Sequence, residues 1–108
     1  NLQIWGHSTN EISSVNFVKG LIPNTFANLP SGPIRLANID VDLYAPTKAA
    51  ALFVYDRLIE GGILFFDEYD SVNDTEKWPG AKLAIDEFCS ERGVSLMRHV
   101  SGRVYIQK

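Results

Sequence analysis

Two apolar, strand-like segments that both end in acidic residues constrain the fold of this 108-residue chain more than any other feature. Residues 34–40 (IRLANID) are apolar at alternating positions, and residues 63–66 (ILFF) form a continuous apolar run. Between them, Pro46 suits the first turn of a helix, and no further Pro or Gly occurs before Gly61. We therefore predict strand, helix (about residues 45–60) and strand, which together form a right-handed βαβ unit with parallel strands.

The rest of the chain adds a second helix and a hairpin to this unit. The helix starts at Pro79, and Gly93 is its stop signal. Its apolar positions follow helical spacing: Ala81, Ala84, Ile85, Phe88 and Cys89. Residues 94–100 and 103–107 are strand-like and flank a Ser-Gly turn, and residues 15–18 could form one more strand. The expected fold is α/β, mostly parallel, with a C-terminal antiparallel β-hairpin.

Composition excludes several classes of protein. Acidic and basic residues are interspersed, the net charge is −3, and no basic run could neutralise a row of phosphates, so nucleic acid is not an expected partner. No apolar stretch approaches the ~20 residues that cross a bilayer, and the N-terminus lacks signal-peptide features. We expect a soluble, cytoplasmic protein of one small domain. The single cysteine, Cys89, cannot form an internal disulfide.

The acidic residues after the two strands are the candidate functional feature. Asp40 and Asp42 follow the first strand, and Asp67 and Glu68 follow the second. The carboxyl ends of parallel strands share one edge of a sheet, where open α/β folds bind ligands. Four converging carboxylates repel one another unless they bind a cation, share a proton or point apart. An all-oxygen site favours Mg²⁺, Mn²⁺ or Ca²⁺; alternatively, these acids are exposed loop residues or helix caps.

Three ordered blocks resemble motifs of the macrocin O-methyltransferase (TylF-like) family. They are IDVDLYAPTKAA, LIEGGILFFDEY and WPGAKLAIDEF, which resemble the family's D-x-D-L-Y-x-x-T, G-G-x-x-x-x-D-D-Y and G-x-x-x-A-x-x-x-F patterns. The resemblance runs from about Val15 to the C-terminus. It implies the Rossmann-like fold of class I methyltransferases, S-adenosylmethionine as methyl donor, and Mg²⁺-assisted methylation of a sugar hydroxyl on a glycoside or natural product.

The same resemblance assigns roles to individual residues. Asp40, Asp67 and Glu68 match the metal-binding acids, although Glu68 stands where the family has a second Asp. A cation there can chelate two neighbouring sugar oxygens, and Asp42 or Asp40 could take the hydroxyl proton as the catalytic base. Tyr44 and Tyr69 flank the acids and are candidates for substrate binding.

The features that grip the methyl donor in class I methyltransferases are missing from this sequence. Those enzymes use a Gly-rich turn after their first strand and an acid after their second, whereas the Gly pair here precedes its strand. We expect residues 1–108 to be a single partial methyltransferase domain without the N-terminal donor-binding strands, inactive alone and with little affinity for S-adenosylmethionine. The first predicted strand would then have an unpaired edge that invites self-association.

Two other functions compete with this interpretation. A strand that ends in D-x-D is also how haloacid dehalogenase-type phosphotransferases present a nucleophile and a general acid, here Asp40 and Asp42. That mechanism also needs a Lys on a later element before the final acidic pair. Here the pair Asp67-Glu68 already follows after one helix and one strand, which argues against a phosphotransferase. A non-catalytic remnant or interaction module is the third possibility, since the donor-binding features are absent.

Overall fold

The structure is a computed structural model that describes residues 18–29 and 32–108. The strand predicted at residues 15–18 lies outside these residues except for Val18. The described elements are a 3₁₀ helix (Asn24–Asn28), β1 (Ile34–Ile39), α1 (Tyr44–Arg57), β2 (Leu58–Phe66), α2 (Val72–Lys77), α3 (Pro79–Arg92), β3 (Met97–Arg98) and β4 (Val104–Gln107).

The four described strands form one sheet in the order β1-β2-β4-β3. β1 and β2 are parallel and are joined by α1, so the predicted βαβ unit is confirmed. β4 pairs antiparallel with both β2 and β3, which confirms the C-terminal hairpin. The chain therefore has the predicted α/β class, with one parallel and two antiparallel pairings among the strands described.

β2 is longer than predicted because the Gly pair lies inside it. Leu58 of β2 pairs with Ile34 of β1. The next paired residue of β1 is Leu36, and its partner in β2 is Ile63, so β2 has an irregular insertion between these two pairs. Gly61 has a φ of 83°, a conformation that other residues rarely adopt, and its N–H donates to the carbonyl of Lys108 at 2.9 Å. The glycines thus form a bulge inside β2 and do not end the helix, which stops at Arg57.

One face of the sheet carries the core. The strands contribute alternate apolar side chains to this face, and α1 and α3 cover it with small and aromatic residues. The buried residues of this cluster are Ile39, Ala50, Ala51, Leu58, Leu64, Phe66, Ile85, Phe88, Val104 and Ile106. Phe88 of α3 contacts both Phe66 and Tyr55, with ring centroids 6.4 and 5.5 Å apart. This packing fixes both helices relative to the strand ends.

The helices begin and end largely where the sequence predicts. α3 starts at Pro79 and ends before Gly93, whose φ is 64°. The short helix α2 was missed, although the oxygen of Ser71 accepts a bond from Asp74 N–H at 3.0 Å, as expected of a Ser-x-x-Asp capping sequence. In the described part of the chain, no helix combines the length and apolar character that a membrane crossing requires.

Gly80 lies where the start of α3 touches the start of α1. A Cβ at position 80 would be 3.0 Å from Tyr44 Cβ and 3.1 Å from the Tyr44 backbone nitrogen. The start of α3 therefore packs directly against Tyr44, the first residue of α1, which lies two residues after Asp42. A methyl group at position 80 would therefore require the start of α1 to shift by a few tenths of an ångström.

We predict that Gly80→Ala destabilises the chain by about 1–3 kcal/mol, the usual cost of overpacking. In a helix with open space around the glycine, the same change would stabilise the chain by about 0.5–1 kcal/mol. The sign of the change in unfolding free energy therefore distinguishes the two cases. Chemical denaturation measures the free energy of unfolding. The control is Ser90→Ala on the exposed side of α3, which should stay within about 0.5 kcal/mol of the parent. A Gly80→Ala variant at least as stable as the parent would contradict the close packing.

Candidate active site

The acidic residues of both strands lie at the same edge of the sheet. Ile39 and Phe66 are register partners at the ends of β1 and β2, and Asp67 N–H donates to the Ile39 carbonyl at 2.9 Å. The parallel pairing therefore continues one residue past the strands. Because the two chains leave the sheet side by side, the residues that follow them are neighbours in space.

Three of the four predicted acids form a compact cluster. Carboxylate oxygens of Asp40, Asp42 and Glu68 lie within 4.8 Å of one another. Asp40 is exposed, and Asp42 and Glu68 are half-buried. We call these three residues the acidic cluster. All of its ligand atoms are oxygens, as expected of a site for a hard divalent cation.

A strained turn brings Asp42 into the acidic cluster. Asp42 has a φ of 64°, and Leu43 N–H donates to the Val41 carbonyl at 2.6 Å across it. This is a γ-turn with a left-handed central residue, a rare conformation that costs roughly 1–3 kcal/mol. Asp tolerates it better than most residues because its short polar side chain can bond locally. Such strain at a carboxylate is typical of functional sites.

Burial and like charges raise the pKa of Glu68 to about 9. Burial is the larger cause, followed by hydrogen bonds to Asp42 and Asp40 and by their negative charge. At neutral pH, and without a cation, Glu68 therefore keeps its proton and shares it with the neighbouring carboxylates. A bound cation would replace this proton as the charge that holds the acidic cluster together.

Asp67 lies apart from the acidic cluster. Its Oδ1 is 3.5 Å from Nη2 of Arg103, the residue just before β4. Arg103 also donates to the side-chain oxygen of Asn38 in β1. Phe66 faces the core, and Asp67 follows it on the opposite face of the sheet, where the guanidinium of Arg103 lies near the ring of Phe65. The assignment of Asp40, Asp67 and Glu68 to one metal site stays a prediction.

Both predicted substrate-binding tyrosines are tied to α3 through their hydroxyl groups. Tyr44 donates to Glu87, and Tyr69 donates to Asp86 at 2.5 Å. The bond to Glu87 raises the pKa of Tyr44, whereas burial, followed by the bond to Asp86, raises that of Tyr69. These bonds fix the tyrosines on either side of the acids, and their contact with substrate stays a prediction.

A cavity of about 480 Å³ opens beside Asp67 and Tyr69. Its polar wall includes Asp70, Arg98 and Arg103, and Arg98 bonds to Asp70 at 2.6 Å. Its volume lies within the roughly 300–1,000 Å³ of small-molecule sites. Neither arginine is among the residues predicted to form the site. The predicted hairpin is the signal that could have found them, since it returns the chain to the carboxyl end of β2.

Solved O-methyltransferase structures share this fold. The apo structure of CalS11, a TDP-rhamnose 3'-O-methyltransferase in calicheamicin biosynthesis, has a TM-score of 0.61 and 32% identity, covering 80% of this chain and 36% of that chain. A second CalS11 structure gives 0.60 and 34%, covering 79% and 32%. The O-methyltransferase NovP gives 0.55 and 25%, covering 68% and 29%. The fold of this chain is therefore similar to that of solved O-methyltransferases.

The sequence identifies the family within that class. Residues 10–103 match the sequence model of the Macrocin-O-methyltransferase (TylF) family, and the chain belongs to this family, as its three motifs indicate. No curated protein matches the chain significantly. The chain spans about a third of the length of the solved structures above.

The raised pKa of Glu68 predicts how stability depends on pH when no metal is present. The folded chain holds a proton that the unfolded chain releases, so the stabilisation is complete below the ordinary glutamate pKa and is lost as pH rises through about 9. The free energy of unfolding should therefore fall between about pH 5 and pH 9. Glu68→Gln should flatten this decline.

Denaturant titrations across this pH range, in the presence of a chelator, measure the effect. The control is Glu60→Gln, an exposed glutamate in β2 away from the acidic cluster, which should keep the parent's pH dependence. If Glu68→Gln retained the full decline, the acidic cluster would not be its source.

Proposed function

We propose that the chain supplies the catalytic acids of an S-adenosylmethionine-dependent, metal-assisted sugar O-methyltransferase. The observation that carries the proposal is the acidic cluster, whose carboxylate oxygens lie within 4.8 Å of one another at the carboxyl edge of the sheet. Membership of the TylF family supports methyl transfer to oxygen. The similar structure CalS11 is a TDP-rhamnose 3'-O-methyltransferase, which supports a sugar hydroxyl as the acceptor group.

The residues present fit a divalent cation, with Mg²⁺ the preferred choice. Asp40 and Glu68 would be its ligands in the acidic cluster, and Asp67 is a third ligand by family resemblance. Asp67 is exposed at the sheet edge and would have to turn away from Arg103 to join them. Among the residues that the structure describes, only carboxylate oxygens form the acidic cluster, and hard cations prefer such oxygen sites.

The residues of the acidic cluster divide the chemistry between them. Asp40 and Glu68 would hold a divalent cation, which would supply Lewis-acid polarisation of the acceptor's oxygens. Asp42 is the proposed general base, with Asp40 as the alternative, and it accepts the proton of the sugar hydroxyl at a carboxylate oxygen. The strained turn holds this carboxylate in position before substrate arrives, which lowers the cost of ordering it during the reaction.

The cavity beside Asp67 is the proposed place for the glycoside. Tyr69 provides an aromatic wall, and the paired Arg98 and Asp70 provide both donors and acceptors for sugar hydroxyls. Because the hydroxyl of Tyr69 is already bonded to Asp86, its contribution to binding would come from its ring. Asp67 lines the cavity and directly precedes Glu68 of the acidic cluster, so a glycoside bound there would extend past Asp67 towards the acidic cluster.

We propose that the methyl donor is bound mainly by residues outside this chain, because its sequence has no G-x-G-x-x-G turn. The chain spans about a third of the length of its solved relatives. In the described sheet, β1 is an edge strand, and Leu36 is 66% exposed. We propose that this edge pairs with another strand, either from the donor-binding part of a methyltransferase or from a second copy of the chain.

We predict that the chain binds Mg²⁺ and that Asp40→Asn and Glu68→Gln each weaken binding by at least about tenfold, because each removes a direct ligand. Isothermal calorimetry measures the dissociation constants. The control is again Glu60→Gln, which should bind like the parent. Equal affinity in all variants would place the cation elsewhere, and no binding by any of them would favour a non-catalytic remnant.

We also predict that a neutral sugar, methyl rhamnoside, binds in a Mg²⁺-dependent manner. Nuclear magnetic resonance shifts should concentrate on the amides of residues 40–44 and 67–70, and Glu68→Gln should reduce them. A neutral glycoside is the probe because it avoids direct chelation of Mg²⁺ by a diphosphate. Shifts confined to the opposite end of the sheet, near Gly61 and Lys108, would contradict the proposed acceptor site.

A further inference from the structure

Arg103 joins the ends of three strands at the candidate active site. Phe66 pairs with Val104, so the antiparallel register places Arg103 directly opposite Asp67, one residue beyond the ladder. Its Nη2 is 3.5 Å from Asp67 Oδ1 and also donates to Asn38 of β1. Its guanidinium lies 5.3 Å from the centre of the Phe65 ring.

The contact between Arg103 and Asp67 is a weak one. Charge-assisted N–H···O bonds are typically about 2.7–2.9 Å long, whereas this pair is separated by 3.5 Å. Arg103 Nε is buried and has no hydrogen-bond partner among the described residues. The side chain of Asp67 is 44% exposed. Asp67 can therefore leave Arg103 at small cost, while Asn38 still holds the guanidinium.

We propose that Arg103 is a positioning residue that holds Asp67 away from the acidic cluster and so lowers the chain's affinity for divalent cations. This inference rests on the proposed metal site. A cation in the acidic cluster and the guanidinium of Arg103 compete for the carboxylate of Asp67. This residue is next to Glu68 in the chain, but its side chain contacts Arg103 on the other face of the sheet. Loss of the Arg103 charge releases Asp67 to the cation.

The test is calorimetric Mg²⁺ binding by five proteins: the parent chain, Arg103→Gln, Arg103→Lys, Asp67→Asn and the double variant Arg103→Gln/Asp67→Asn. We expect Arg103→Gln to bind Mg²⁺ about two- to fivefold more tightly, the size expected when one exposed ion pair is released. Arg103→Lys keeps the charge and should stay close to the parent. In the Asp67→Asn background, Arg103→Gln should bring no gain.

Each other outcome has a distinct meaning. Unchanged or weaker binding by Arg103→Gln, while the parent binds Mg²⁺, overturns the inference and leaves the metal site standing. A gain that persists fully in the Asp67→Asn background also overturns it, because Arg103 would then act by direct repulsion. Absence of Mg²⁺ binding in all five proteins overturns the inference and the proposed metal site together. Thermal unfolding without Mg²⁺ identifies any variant that is not folded, and Arg103→Met, which also removes the charge, replaces Arg103→Gln if that variant does not fold.

Discussion

The parallel pairing of β1 with β2 is the interaction on which the candidate site depends. It is in register at Ile39 and Phe66, and the Asp67 N–H extends it by one more hydrogen bond. The acids after the two strands are distant in sequence, with α1 between the strands, and the parallel pairing is what brings them together in space. The buried face of the sheet holds the register, because a slip of one residue would turn Phe66 out of the core. The core therefore determines which carboxylates meet.

The sheet brings the acids to one edge, and local backbone geometry then separates them into two groups. The γ-turn at Asp42 brings that carboxylate back towards Asp40 and Glu68. Strand alternation sends Asp67 to the other face, where Arg103 meets it. One edge thus carries a proton-sharing cluster with a raised pKa at Glu68 and, beside it, an ion pair. A cation that binds both groups must displace a proton from one and a guanidinium from the other.

Sequence patterns predicted the elements whose cause is local and missed the contacts that depend on long-range register. The βαβ unit follows from two apolar runs, and α3 follows from Pro79, its helical spacing and Gly93. The Gly pair was interpreted as the end of a helix, because its pairing with Lys108 is a contact between residues distant in sequence, which local patterns do not reveal. The grouping of acids at one edge was predictable for the same reason as the βαβ unit. The pairing of Arg103 with Asp67 was not, since it depends on the exact hairpin register.

Helix α3 has a part in the site although it contributes no member of the acidic cluster. Glu87 holds Tyr44, which follows the Asp42 turn, and Asp86 holds Tyr69, which follows Glu68. The two acid-bearing loops are therefore each tied to adjacent residues of one helix. Because α3 is itself fixed to the sheet through buried residues such as Phe88, the spacing of the loops follows from core packing. The family motif that runs from Gly80 to Phe88 then has a physical reason: its small residue allows the start of α1 to approach, and its aromatic residue anchors the helix that holds both loops.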